Sequence, residues 1–168
     1  MKTDHGAALA QALGQALLQK GWMLVSAESC TGGLLGASIT DIGGSSQWFE
    51  RGFVTYSNAA KVAHLNVSEE TLERHGAVSE ETAMEMAAGA LATSPDAHVA
   101  VSTTGVAGPG GGTPGKPVGM VCFGFARRAE GGITVRAATR LFEGDRSAVR
   151  AAAVAFALQS VLELAQAS

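Results

Sequence analysis

The segment Ala27-Glu28-Ser29-Cys30-Thr31-Gly32-Gly33 sets a hydroxyl and a thiol where an apolar run gives way to glycines. A strand running into a helix at this point would present Ser29 beside unbonded backbone N–H groups. Such groups carry partial positive charge and can hold an anion or stabilise a developing oxyanion. An ordinary strand–helix turn capped by Ser or Thr has the same residues, and shape alone does not choose between the two. The segment is not the Gly-x-Ser-x-Gly elbow, because Ala27 and Thr31 stand at its glycine positions. Cys30 offers a thiol, although an unpaired cysteine is more often a small buried hydrophobe.

A serine nucleophile requires a base. No histidine stands in a recognisable triad context, so a lysine must be considered. Lys61, in Tyr56-Ser57-Asn58-Ala59-Ala60-Lys61, has apolar neighbours Ala59, Ala60, Val62 and Ala63. An apolar setting makes a lysine easier to deprotonate and so able to act as a base. Most lysines are solvated, however, and composition does not single this one out. Ser57 lies four residues before Lys61 and is a competing, weaker nucleophile.

Two further segments suit anion binding. Thr104, Gly105, Ala107 and Gly108 open a glycine–proline loop over residues 103–119, where backbone N–H groups can approach a ligand. Gly110 to Lys116 nearly fits the phosphate loop G-x-x-x-x-G-K, but Pro117 stands where Ser or Thr must bind magnesium, and a strand follows instead of a helix. No G-x-G-x-x-G opens a helix, so a dinucleotide fold is unsupported. Arg146 and Arg150, one helical turn apart, could clasp a phosphate or simply pair with surface acids.

These residues need a scaffold. Helices are expected over 5–20, 31–40, 58–65 (capped by Asn58), 69–75 and 80–92 (capped by Ser68 and Ser79), and from a cap at Asp145 onward. Strands are expected over 22–28, 53–56, 99–102, 118–126 and 133–142, the last two joined by a turn at Glu130-Gly131-Gly132. Helix–strand alternation with a late hairpin predicts an α/β fold, a three-layer α/β/α sandwich with a mixed sheet, in one domain over residues 1–168.

The composition agrees. The chain has 168 residues, 46% hydrophobic and 16% charged, which excludes a disordered chain. A net charge of -3 argues against a dedicated nucleic-acid binder. Two cysteines give no disulfide framework, and four scattered histidines suggest no metal site. No 18-residue apolar run is read, so no membrane span is expected; with a polar start at residues 1–5, a cytoplasmic location is expected.

Taken together, the segments resemble the CinA family, in particular its nicotinamide-nucleotide amidase domain. The resemblance rests on residues 27–33, 49–58, Lys61, 75–79, 105–109, 116–119 and 144–146, in the family's order, and spans residues 7–165. It implies hydrolysis of the carboxamide of nicotinamide mononucleotide to nicotinate mononucleotide and ammonia. It further implies no metal or cofactor and a homodimer. By resemblance the nucleophile falls on Ser29, the base on Lys61 and an assisting phenol on Tyr56. Thr31, Gly32 and Gly33 would then supply oxyanion donors, Glu28 would sit by the substrate ring or orient Ser29, and the Thr104–Gly108 loop with Arg146 would hold the phosphate. Longer family members carry an N-terminal pyrophosphatase-type domain with no counterpart here, so that activity is expected to be absent. A non-catalytic nucleotide-phosphate binding module would use the same loop and Arg146 but would not need Ser29 or Lys61.

Overall fold

In the computed structural model, residues 4–168 are described; residues 1–3, part of the polar start, lie outside them. Five strands form one sheet in the order β2-β1-β3-β4-β5. They are β1 (Leu24–Glu28), β2 (Phe49–Val54), β3 (Val99–Gly105), β4 (Met120–Ala129) and β5 (Gly132–Leu141). β1 runs parallel to β2 and β3, whereas β3–β4 and β4–β5 are antiparallel. The sheet is therefore mixed, as expected.

Side chains alternate across it and bury two cores. Leu24, Val99, Val101, Val121 and Phe123 face α1 (Asp4–Lys20), α2 (Leu34–Thr40) and α6 (Arg146–Gln166). Val25, Ala27, Ala100 and Ala126 face the other layer, where α3 (Asn58–Leu65) and α5 (Glu80–Ala92) bring Leu65, Met86, Ala87 and Leu91. A short helix, α4 (Glu69–His75), links α3 to α5. Ser68, Ser79 and Asp145 cap their helices, each side-chain oxygen accepting from an N–H three residues on.

Small residues let these layers approach closely. A methyl group on Gly89 of α5 would lie 1.8 Å from the Leu65 carbonyl oxygen that ends α3. Alanine is the better helix former by about 1 kcal/mol, but this overlap is with backbone and has no flexible end to move. Gly89→Ala is therefore expected to lower stability, by about 1–3 kcal/mol, as a lower denaturation midpoint in urea.

Several local expectations need correction. β2 starts at Phe49, four residues earlier than the strand expected over 53–56, because pairing with β1 begins there. α2 starts at Leu34, since Gly32 and Gly33 adopt φ +56° and +103°, a left-handed turn that a helix cannot include. The cap of α3 is Ser57, not Asn58: its Oγ accepts from the Ala60 N–H at 3.0 Å. β3 continues to Gly105, so Thr103 and Thr104 belong to the sheet and not to the loop. β5 alternates but is an edge strand, and Val135 and Leu141 remain exposed. α6 has the length and mean hydropathy of a membrane span, although it contains no unbroken apolar run of 18 residues; half of its most apolar window is buried in this protein's core.

Candidate active site

The three parallel strands end on one side of the sheet, and each delivers part of one cluster. Past β1 comes Ser29, past β2 come Thr55, Tyr56 and the α3 helix with Lys61, and at the end of β3 lie Thr103 and Thr104. Open α/β sheets commonly bind ligands outside the carboxyl ends of their strands.

Ser29 is fixed by its main chain. Its N–H donates to the Thr103 carbonyl at 2.9 Å, extending the β1–β3 ladder by one residue. The neighbouring Thr55 N–H donates to the Glu28 carbonyl at 2.9 Å and continues the β1–β2 ladder in the same way. Thirty-two residues on, Lys61 brings Nζ to 3.1 Å from Ser29 Oγ. The same nitrogen contacts the Thr55 carbonyl at 3.1 Å and the Tyr56 carbonyl at 3.3 Å. Lys61 is only 1% exposed, and no carboxylate among the described residues pairs with it. Burial therefore pushes its pKa below the ordinary lysine value, opposed only by the nearby Cys30 sulfur when that is charged.

The Cys30 thiol behaves in the opposite way. Burial, aided by the Glu28 charge and only partly offset by a hydrogen bond from its own backbone and by the Arg150 and Lys61 charges, pushes it up to about 11. A thiol that stays protonated at neutral pH is a poor nucleophile. Ser57 has its oxygen engaged as a helix cap, which removes the other competitor.

Glu28 is buried and both of its carboxylate oxygens accept hydrogen bonds. One oxygen accepts from Thr31 Oγ1 at 2.6 Å, Gly33 N–H at 3.2 Å and Leu35 N–H at 2.9 Å. The other accepts from Gly36 N–H at 3.0 Å. Glu28 is thus the anchor of the α2 N-terminus, where an acid is electrostatically favoured, and not a group free to face a substrate ring. Thr31 Oγ1 also meets Thr103 Oγ1 at 2.7 Å, a link the sequence reading missed.

This changes the picture of the oxyanion donors. Gly33 N–H is engaged by Glu28, and Gly32 N–H donates to the Ser29 carbonyl at 3.0 Å. Of the three expected donors, only the Thr31 N–H has no acceptor among the described residues.

The rest of the expected site divides. The Tyr56 phenol is 63% exposed and accepts from Arg146 Nη2 at 3.2 Å. The part of Tyr56 that touches Lys61 is its carbonyl, so the phenol does not link the lysine to the serine here. Arg146 also donates to the Gly108 carbonyl at 2.8 Å, tying the glycine–proline loop to the start of α6. Thr104 Oγ1 donates to the Ala77 carbonyl at 2.8 Å and is buried. Gly105 is hemmed in by β4, where a methyl group would meet the Met120 carbonyl at 2.6 Å. Ala107 packs in the core. Gly108, at φ +84°, is the member of this loop that reaches Arg146. Arg150 does not share Arg146's ligand: it donates to the Cys30 and Thr31 carbonyls. Among the described residues, no three His, Cys, Asp or Glu side chains converge as a metal cluster.

A buried amine against a serine hydroxyl, at the end of a central parallel strand, is the arrangement that can be compared with known proteins. The chain matches the CinA C-terminal domain over residues 6–165. It is 56% identical over 150 residues to the nicotinamide-nucleotide amidohydrolase PncC of Enterobacter agglomerans, covering 89% of each chain. It is 55% identical over 153 residues to the PncC of Escherichia coli (strain K12), covering 91% of this chain and 90% of that one. The crystal structure of the competence/damage inducible protein CihA from Agrobacterium tumefaciens superposes with a TM-score of 0.90 at 42% identity, over 98% of both chains. With nearly its whole length matched in sequence and in fold, the chain belongs to the CinA family, in the family's C-terminal domain.

Proposed function

We propose that this protein hydrolyses the carboxamide of nicotinamide mononucleotide, releasing ammonia and nicotinate mononucleotide, with Ser29 as nucleophile and Lys61 as base. The observation that carries the reading is the 3.1 Å contact between Ser29 Oγ and a buried Lys61 Nζ that pairs with no carboxylate among the described residues. The names of the relatives supply the substrate.

The lysine's surroundings suit a neutral amine. An uncharged Nζ has two N–H bonds and one lone pair. The Thr55 and Tyr56 carbonyls can accept the two N–H bonds, which leaves the lone pair for the Ser29 hydroxyl proton. Lys61 takes that proton as Ser29 Oγ attacks the amide carbon, giving a tetrahedral oxyanion. The Thr31 N–H, which has no acceptor among the described residues, would donate to it. The protonated amine returns the proton to the departing nitrogen, the C–N bond breaks, and ammonia leaves an acyl-serine. Water then attacks the ester, Lys61 takes a proton from that water and returns it to Ser29 Oγ, and the carboxylic acid product leaves. The positive charge on the substrate's ring nitrogen withdraws electrons from the amide carbon and eases the first attack. Arg146, exposed beside Tyr56 and the Gly108 carbonyl, is the cation placed to receive the phosphate.

The test is direct. Purified protein incubated with nicotinamide mononucleotide is expected to release ammonia and nicotinate mononucleotide in equal amounts. Binding of the nucleotide with no ammonia formed would overturn the catalytic reading in favour of a nucleotide-binding module.

A further inference from the structure

We infer that Arg150 positions the oxyanion-binding edge of the nucleophile turn, holding the Cys30 and Thr31 carbonyls so that the Thr31 N–H faces the space in front of Ser29 Oγ. The inference rests on the amidase reading above and concerns a residue that contacts neither Ser29 nor Lys61 through its side chain.

Arg150 lies on the first turns of α6. It donates from Nε to the Cys30 carbonyl at 3.2 Å and from Nη2 to the Thr31 carbonyl at 3.0 Å. In a trans peptide, the C=O of one residue and the N–H of the next point in opposite directions. A guanidinium that fixes the Cys30 oxygen on its own side therefore turns the Thr31 N–H to the other side. It does the same to the Gly32 N–H through the Thr31 oxygen. That second vector can be followed: on the side opposite Arg150 the Gly32 N–H reaches the Ser29 carbonyl at 3.0 Å.

The turn needs such a clamp. Gly32 and Gly33 are both left-handed and have no side chains to lock the backbone. Glu28 and Thr103 hold the Thr31 hydroxyl from one direction, and Arg150 holds the main chain from another. A cation on a peptide carbonyl also polarises that peptide unit, which strengthens its N–H as a donor.

Two variants test this, Arg150→Gln and Arg150→Lys. Loss of one oxyanion donor lowers kcat by about 10²–10³-fold; a loosened donor should cost less. Arg150→Gln is therefore expected to lower kcat on nicotinamide mononucleotide by about 10–100-fold with KM within about two-fold of the parent. Arg150→Lys should recover part of the loss by restoring a cation and one donor. The rate of Ser29 labelling by a fluorophosphonate should fall in parallel, since the phosphonyl oxygen occupies the same donor, while affinity for nicotinate mononucleotide stays unchanged.

A raised KM with normal kcat would make Arg150 a phosphate ligand and overturn the inference. So would a normal labelling rate in Arg150→Gln, or a kcat loss that vanishes when the variant is assayed well below its denaturation temperature. If the parent labels with the fluorophosphonate but releases no ammonia, the amidase reading fails by itself. The slower labelling of Arg150→Gln remains the expected result in that case.

Discussion

Replacing Ser29 with alanine is expected to reduce ammonia release by about 10⁵–10⁶-fold, the scale on which loss of a covalent nucleophile acts. The fold should survive, because what ties Ser29 into the sheet is its backbone N–H on Thr103 and its carbonyl under Gly32, and neither involves the hydroxyl. Ammonia assays paired with a thermal denaturation curve check both halves. Cys30→Ala supplies the contrast. A thiol held up near 11 contributes no thiolate at neutral pH, so that variant should keep the parent's turnover. If Ser29→Ala kept turnover and Cys30→Ala lost it, the assignment would pass to sulfur.

Lys61→Met carries the second large effect, about 10²–10⁴-fold in kcat, as expected for removal of a general base. Methionine has similar length and no proton to exchange. The pH dependence follows from the sign of the shift. Only neutral Lys61 can take the serine proton, so kcat/KM should rise with pH and level off above the lysine's pKa. Burial lowers that pKa, so the midpoint should fall below the ~10.4 of an exposed lysine. Stability responds in the same window. Between the lowered folded pKa and ~10.4 the unfolded chain binds the extra proton, so unfolding becomes harder as pH rises through that interval and constant below it. Urea midpoints measured across the interval should slope upward for the parent and lose that slope in Lys61→Met. A pH–rate profile in Lys61→Met that matched the parent's would remove the lysine from the base role.

The elements that position these groups were legible to different degrees. Helix caps at Ser68, Ser79 and Asp145 announce themselves by a local rule, a hydroxyl or carboxylate followed by an N–H three residues on, and they stand where expected. The mixed sheet followed from the alternation of helices and strands and the late hairpin. Ser29 was visible as a hydroxyl before glycines. Lys61 was visible only as a possibility, through its apolar neighbours, because its burial is a property of the assembled fold that no local pattern around residue 61 encodes. The carbonyls of Thr55 and Tyr56 that receive the amine have no sequence signature at all.

Glu28 and Arg150 each had two readings open in the sequence, and in the structure both turn toward main chain, Glu28 toward the first N–H groups of α2 and Arg150 toward the carbonyls of the nucleophile turn. A carboxylate one residue before a small-residue turn and a helix start is a signal for the first, since the helix dipole attracts it. For Arg150 the one-turn spacing from Arg146 suggested a shared task, but the geometry of α6 sends one guanidinium to the Gly108 carbonyl and the other to the Cys30 and Thr31 carbonyls.

The delivery of one cluster by three strand ends also bears on how native material is judged. Nothing chemical is complete until residues near positions 29, 61 and 103 have met, and their strands pair in parallel across long stretches of intervening chain. Helical content, by contrast, forms locally and early. A preparation that looks well folded by circular dichroism can thus still be unassembled at its catalytic end, and turnover per milligram is the stricter gauge of correct assembly.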